Sequence, residues 1–170
     1  MNRPILREMT SDDAAHVIAL NEAVVAVTSP MDLQRFAELY ELSSLHLVAE
    51  VNREVVGFVL AMTDACAYDN GNYQWFAQRL KNFLYVDRIV VAPACRGLGL
   101  GRLLYSHLDD QARQSGLVQV CAEMDLNPPN EGSLAFHKKS GFIRLGTRIL
   151  DSGKQVSMQT RFLLCDCNKA

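Results

Sequence analysis

Apolar residues along the chain alternate between strand-like and helix-like spacing. Ile5-Leu6-Arg7 reads as a short first strand, and Thr10 or Ser11 then stands at a helix-capping position. Ala14, Ala15, Ile18, Leu20 and Val24-Val25 follow at roughly helical spacing. Pro30 ends that helix, and Leu33, Phe36, Ala37 and Tyr40 predict a second, shorter one. Residues 45–51 and 55–62 read as strands, with Asn52-Arg53 as the tight turn of a hairpin. Residues 63–81 carry Tyr68, Tyr73, Trp75 and Phe76 among turn formers such as Asp69-Asn70-Gly71-Asn72, which predicts an irregular loop. A central strand over 83–92 precedes an amphipathic helix over 100–115, closed by Gly116. Residues 118–124 form another strand, 130–140 a helix ended by Gly141, and 142–150 and 156–164 the last two strands. This order predicts an α+β fold with a mainly antiparallel sheet and helices on both faces.

Composition narrows the function classes. A chain of 170 residues, 49% apolar and 21% charged, fits a single domain over 1–170 with a full core. The net charge of −2 gives no basic surface for nucleic acid. No apolar run approaches a membrane span, and the N-terminus lacks the apolar stretch of a signal peptide. Cys66, Cys95, Cys121, Cys165 and Cys167 are odd in number and show no C-x-x-C spacing, so neither a metal site nor a disulfide framework is expected. A reducing, cytoplasmic location is the expectation.

The chemistry concentrates between Arg88 and Leu104. Arg88-Ile89-Val90-Val91-Ala92-Pro93 is a strand end, and Arg96-Gly97-Leu98-Gly99-Leu100-Gly101-Arg102 is a three-glycine loop opening a helix. Helix N-termini leave about four N–H groups unpaired, and their dipole favours anions. Glycines let those amides approach a phosphate closely, and Arg96 and Arg102 add charge at the rim. The loop is neither G-x-G-x-x-G nor a Gly-Lys-Ser/Thr P-loop, so dinucleotide and nucleoside triphosphate sites are disfavoured. Simple turn chemistry is the competing reading of the same glycines.

Arg96-x-x-Gly99-x-Gly101 after Val-Val-Ala-Pro resembles the coenzyme A pyrophosphate signature of the GNAT N-acetyltransferase superfamily. Asn127-Pro128-Pro129-Asn130, followed by Ala135-Phe136-His137-Lys138-Lys139-Ser140-Gly141-Phe142, resembles its second hallmark. The resemblance implies a mixed sheet whose central strand pair splays. It implies acetyl-CoA as cosubstrate, with no metal, and direct transfer to a primary amine of a small molecule, amino acid or peptide terminus. Ile89, Val90 and Val91 would pair with the pantetheine arm, the amide of Val90 or a neighbour meeting the oxyanion. Arg96, Gly97, Leu98, Gly99, Leu100, Gly101 and Arg102 would hold the pyrophosphate. Asn127 and Asn130 would reach the pantetheine or cap the next helix. His137 stands where many members carry the tyrosine that protonates the leaving thiolate, and a histidine can do that chemistry.

The acceptor must attack as a neutral amine. A lysine amine is neutral only about once in 2,500 molecules at pH 7, and an α-amine roughly once in seven. Asp87, Glu123 and Asp125 are the candidate bases, each equally readable as a strand-end or ion-pair residue. Cys121 and Cys95 have no sequence-local base for a covalent route. Acceptor recognition is expected from residues 21–30, from the hairpin around Asp151-Ser152-Gly153, and from Tyr73, Trp75 and Phe76. Those aromatics read equally as a satellite core. A coenzyme A-binding sensor without turnover is the alternative function, and a homodimer is compatible with the sequence.

Overall fold

The computed structural model describes residues 3–163, which form two compact units. The first unit takes in residues up to 67 and from 86 to 108. Strands β1 (Ile5–Glu8), β2 (Leu45–Val51) and β3 (Glu54–Thr63) form an antiparallel meander. Asn52 and Arg53 turn the β2–β3 hairpin at φ of 55° and 69°. Two successive left-handed residues match the right-handed twist of the strands they join, so the predicted tight turn is present.

Helix α1 (Ala14–Glu22) follows a 3₁₀ turn at Ser11–Asp13. The Asp13 carboxylate accepts from the Thr10 amide at 2.8 Å and from Arg7 Nη1 and Nη2 at 2.7 Å each. The Arg7 guanidinium holds the Asp13 carboxyl pKa down at about 2. The helix expected to run through Val25 stops at Glu22, and a separate 3₁₀ turn covers Val25–Val27. Adjacent β-branched valines restrict χ1 against the preceding turn, which weakens helix continuation there. Helix α2 (Leu33–Leu42) is capped by Asp32, whose side chain accepts from the Arg35 amide at 2.8 Å. Val17, Phe36, Leu39, Val48, Phe58, Leu60 and Met62 are buried and make this unit's core.

The second unit takes in residues from 68 to 85 and from 109 onward. Its strands β5 (Gln119–Asn127), β6 (Ile143–Ile149) and β7 (Gln155–Phe162) are joined by antiparallel ladders, β7 lying between the other two. Helix α5 (Glu131–Lys139) intervenes between β5 and β6. The stretch expected as a loop contains instead a helix, α3 (Gly71–Ala77). The turn formers that argued for a loop build its cap, because Asn70 Oδ1 accepts from the amides of Asn72 (2.9 Å) and Tyr73 (3.1 Å).

Strand β4 (Phe83–Val91) and helix α4 (Leu100–Gln114) run through both units. The seven strands are ordered β1-β2-β3-β4-β5-β7-β6, mostly antiparallel, with β4 and β5 parallel. That parallel register covers three residues only, 83–85 against 119–121. The α+β mixture and the mainly antiparallel sheet agree with the sequence reading. Gly116 ends α4 at φ 75°, the left-handed position its sequence suggested.

Candidate active site

The phosphate-type loop belongs wholly to the first unit. Beyond β4, Pro93–Cys95 make a 3₁₀ turn, and residues 96–99 lead exposed into α4. Gly97 and Gly99 sit at φ 79° and 80°, where an L side chain is strained, and nothing lies within 4 Å of a Cβ at either position. The first helical bond joins Leu103 N–H to the Gly99 carbonyl at 3.0 Å. The amides of Leu100, Gly101 and Arg102 therefore precede the helical ladder. Arg96 and Arg102 are at the same place. An open depression of about 450 Å³ borders Gly99 and Leu98, with Arg3 and His107 on its rim. Open space over left-handed glycines and unladdered amides is a cradle that can admit a pyrophosphate.

The strand entering the loop has a defined polarity. Ala92 N–H donates to the Val56 carbonyl on β3 at 2.8 Å, and the Val90 carbonyl faces Gly57 on β3. Backbone groups in a strand alternate sides, so those of Ile89 and Val91 point away from β3. Of the three residues expected to pair with a ligand strand, Val90 is turned the other way. An oxyanion-facing amide is therefore better sought at Ile89 or Val91.

Asp87 and Arg88 lie side by side near the middle of β4, their side chains only 6% exposed. Arg88 Nε donates to Asp87 Oδ2 at 3.1 Å, and Nη1 donates to Asn21 Oδ1 (2.8 Å) and the Ser29 carbonyl (2.7 Å). Asp87 is thus an ion-pair partner in a buried polar cluster. Sequence reasoning treated Arg88 only as that partner and missed its tie to Asn21. Two adjacent charges in an otherwise apolar strand were the available signal.

The second unit holds the other candidates. Glu123 Oε1 accepts from the Tyr85 hydroxyl at 3.1 Å, a pairing the sequence did not suggest. Asp125 is ion-paired with Lys154 Nζ at 3.1 Å. Cys121 is fully buried, and burial followed by the nearby Glu123 charge pushes its thiol pKa well up, which opposes a nucleophilic role. Cys95 is half-buried in the first unit, and Cys165 and Cys167 lie outside the described residues. Asn130 is the α5 cap, its Oδ1 accepting from the Ser133 amide at 3.2 Å. Asn127 is exposed at the end of β5.

His137 is not placed as an acid in waiting. It is 4% exposed, and its Nδ1 lies 2.8 Å from the Ser133 carbonyl, so that nitrogen carries the proton and donates. The rings of Phe136 and Phe142 meet it edge-on at 5.2 and 5.0 Å. Burial pulls its pKa down to about 4, Arg161 lowers it further, and the Ser133 bond opposes them. Burial and the Ser133 bond favour the neutral ring, which weighs against the reading of His137 as a proton donor poised near neutrality. The sequence identified the position, but the low-dielectric packing that disarms it comes from α5 and the start of β6.

The expected aromatic wall is largely core. Tyr73 and Phe76 are 3% and 0% exposed and pack with Phe83 and Tyr85 at centroid distances of 5.6 to 5.9 Å. This corrects the reading of both as groove-lining residues. Trp75 alone is half-exposed, held by the Arg79 guanidinium 4.2 Å from its ring centroid and closely approached by Gly146. Among the described residues no group of His, Cys, Asp or Glu is placed to hold a metal. No described helix is long and apolar enough to cross a membrane.

Residues 13–142 match the Acetyltransferase (GNAT) family, and the chain belongs to that family. Solved structures agree in fold. Ard1 from Thermoplasma volcanium superposes with a TM-score of 0.78 at 17% identity, over 95% of this chain and 99% of that one. The ribosomal-protein-S18-alanine N-acetyltransferase from Escherichia coli gives 0.73 at 15% identity, covering 99% of each chain. The yncA protein of Salmonella typhimurium, solved with its cofactor acetyl-CoA, gives 0.73 at 23% identity, also covering 99% of each.

Proposed function

We propose that residues 1–170 act as one N-acetyltransferase domain, moving an acetyl group from acetyl-CoA directly to a primary amine. The observation that carries this reading is the cradle of residues 96–102, with Gly97 and Gly99 open above it. Acetyl-CoA supplies an activated thioester. The protein's part is to hold the pyrophosphate on the amides and arginines of that loop and the pantetheine on the outward edge of Ile89 and Val91. The amine nitrogen attacks the thioester carbon; the C–N bond forms, the C–S bond breaks, the acetyl group passes to nitrogen, and coenzyme A leaves as its thiolate, which takes a proton from water. One amine proton must be removed. Glu123, oriented by Tyr85, takes it directly or through a water, while Asp87 is the other candidate. The thiols of Cys95 and Cys121 suit a reducing cytoplasm.

Coenzyme A should raise the melting temperature where NAD and ATP do not, and acetyl-CoA with an amine panel should release free thiol. Stabilisation by NAD but not by coenzyme A refutes the reading. A second reading, a coenzyme A-binding sensor, draws on the neutral, buried His137 at the position of the family's acid. Coenzyme A binding without thiol release from any amine, amino acid or peptide would favour it.

A further inference from the structure

Arg88 is more elaborately held than an acetyl-donor site requires. A guanidinium has five N–H donors. Nε is used by Asp87, and Nη1 by Asn21 and the Ser29 carbonyl. Asn21 is itself fully buried, and its Nδ2 donates to the same Ser29 carbonyl at 2.9 Å. These ties fix the plane and direction of the group. The remaining nitrogen, Nη2, makes no hydrogen bond to any described residue and is not sealed from solvent. A side chain only 6% exposed thus keeps one donor edge open, next along β4 to Ile89, whose backbone points away from β3. Leaving charged donors unfilled inside a protein is costly unless something comes to fill them.

We propose that Arg88 Nη2 receives a carboxylate of the acceptor, so that the substrate is a small amino-carboxylate of the amino-acid type rather than a plain amine. The inference rests on the acetyltransferase reading and names the acceptor class. A planar guanidinium held by three bonds is pre-organised for a carboxylate oxygen, and charge-assisted bonds are about twice as strong as neutral ones. Asp87, bonded at Nε on the edge that Nη2 shares, balances the buried cation before the acceptor arrives. An amino acid is a zwitterion, and the Asp87–Arg88 pair presents the complementary two charges. The same cluster ties the chain between α1 and α2 to β4, within the 21–30 stretch from which acceptor recognition is expected.

The test is thiol release from acetyl-CoA with the twenty L-amino acids and with their C-terminal amides. Per neutral amine present at the assay pH, the acids should be preferred in kcat/KM by about tenfold or more, the value of one charge-assisted bond. Propionate should compete with the acceptor, and propionamide should not. Arg88→Lys keeps a cation beside Asp87 but loses the fixed fork. Its acid-to-amide ratio should fall toward one while the KM for acetyl-CoA holds. If Arg88→Lys fails to fold, the wild-type ratio and the propionate competition still decide. Amides used as well as acids, or an undiminished ratio in Arg88→Lys, overturn the inference. Release from neither set, with coenzyme A still raising the melting temperature, also overturns it and leaves the donor-site reading intact. Loss of coenzyme A binding as well would overturn both.

Discussion

Replacing His137 with Leu separates two roles that the position could have. In the folded chain the imidazole pKa is about 4, against 6.5 for the free side chain. The folded state binds a proton more weakly than the unfolded state. Stability is therefore fully present above about pH 6.5 and drains away as pH falls toward 4. A tenfold difference in proton affinity between the two states is worth about 1.4 kcal/mol, so the wild type should lose about 3 kcal/mol across that window through this one group. Against a total of roughly 5–15 kcal/mol, that is a large share. Leu cannot titrate, and it fits among Phe136 and Phe142. His137→Leu should fall within about 1–2 kcal/mol of wild type at pH 7, where the Ser133 bond is lost. Below pH 5 it should be the more stable protein. Urea unfolding followed by fluorescence of Trp75, the single tryptophan, measures both curves. Asp13 and Asp109 titrate in both proteins and cancel in the comparison. Parallel pH curves would refute the buried neutral histidine. On the catalytic side, kcat of His137→Leu should stay within about threefold of wild type between pH 6 and 9. A loss of about 10²-fold would return His137 to the mechanism as an acid.

Other expectations follow from the same geometry. Gly99→Val places a branched side chain at φ 80°, costs about 1–2 kcal/mol in backbone strain, and should abolish the coenzyme A thermal shift; normal binding by the folded variant would show that the loop is only a turn. Gly146→Ala puts a Cβ 2.9 Å from Trp75 Cζ2 and should cost about 1–3 kcal/mol, read as a lower urea midpoint with altered Trp75 emission; an unchanged midpoint would mean that Trp75 moves aside freely. The Cys121 thiol should resist iodoacetamide in the native protein at pH 8 while half-buried Cys95 reacts, as peptide mapping would reveal. Modification of Cys121 at the rate of Cys95 would contradict its burial.

What the sequence determined alone was local or repeated in pattern. The Asn52-Arg53 turn, the Gly116 helix end, the strand-loop-helix glycines and most element positions depend on neighbouring residues and on periodicity, so they were legible without the fold. The α3 helix was misread because its cap and a loop use the same residues, Asn70 and Gly71, and only the packing of Tyr73 and Phe76 onto Phe83 and Tyr85 selects the helix. The tertiary structure decided what depends on burial and on partners far along the chain. His137 reads as an acid by position and becomes a neutral core residue because rings from α5 and the approach to β6 exclude water from it. Val90 loses its place in the ligand-facing set because strand polarity depends on which neighbour claims Ala92, and that neighbour is Val56. Arg88 meets Asn21 across 67 residues of sequence. No local pattern encodes such a contact, because a buried charge is tolerated only where distant groups converge to satisfy it.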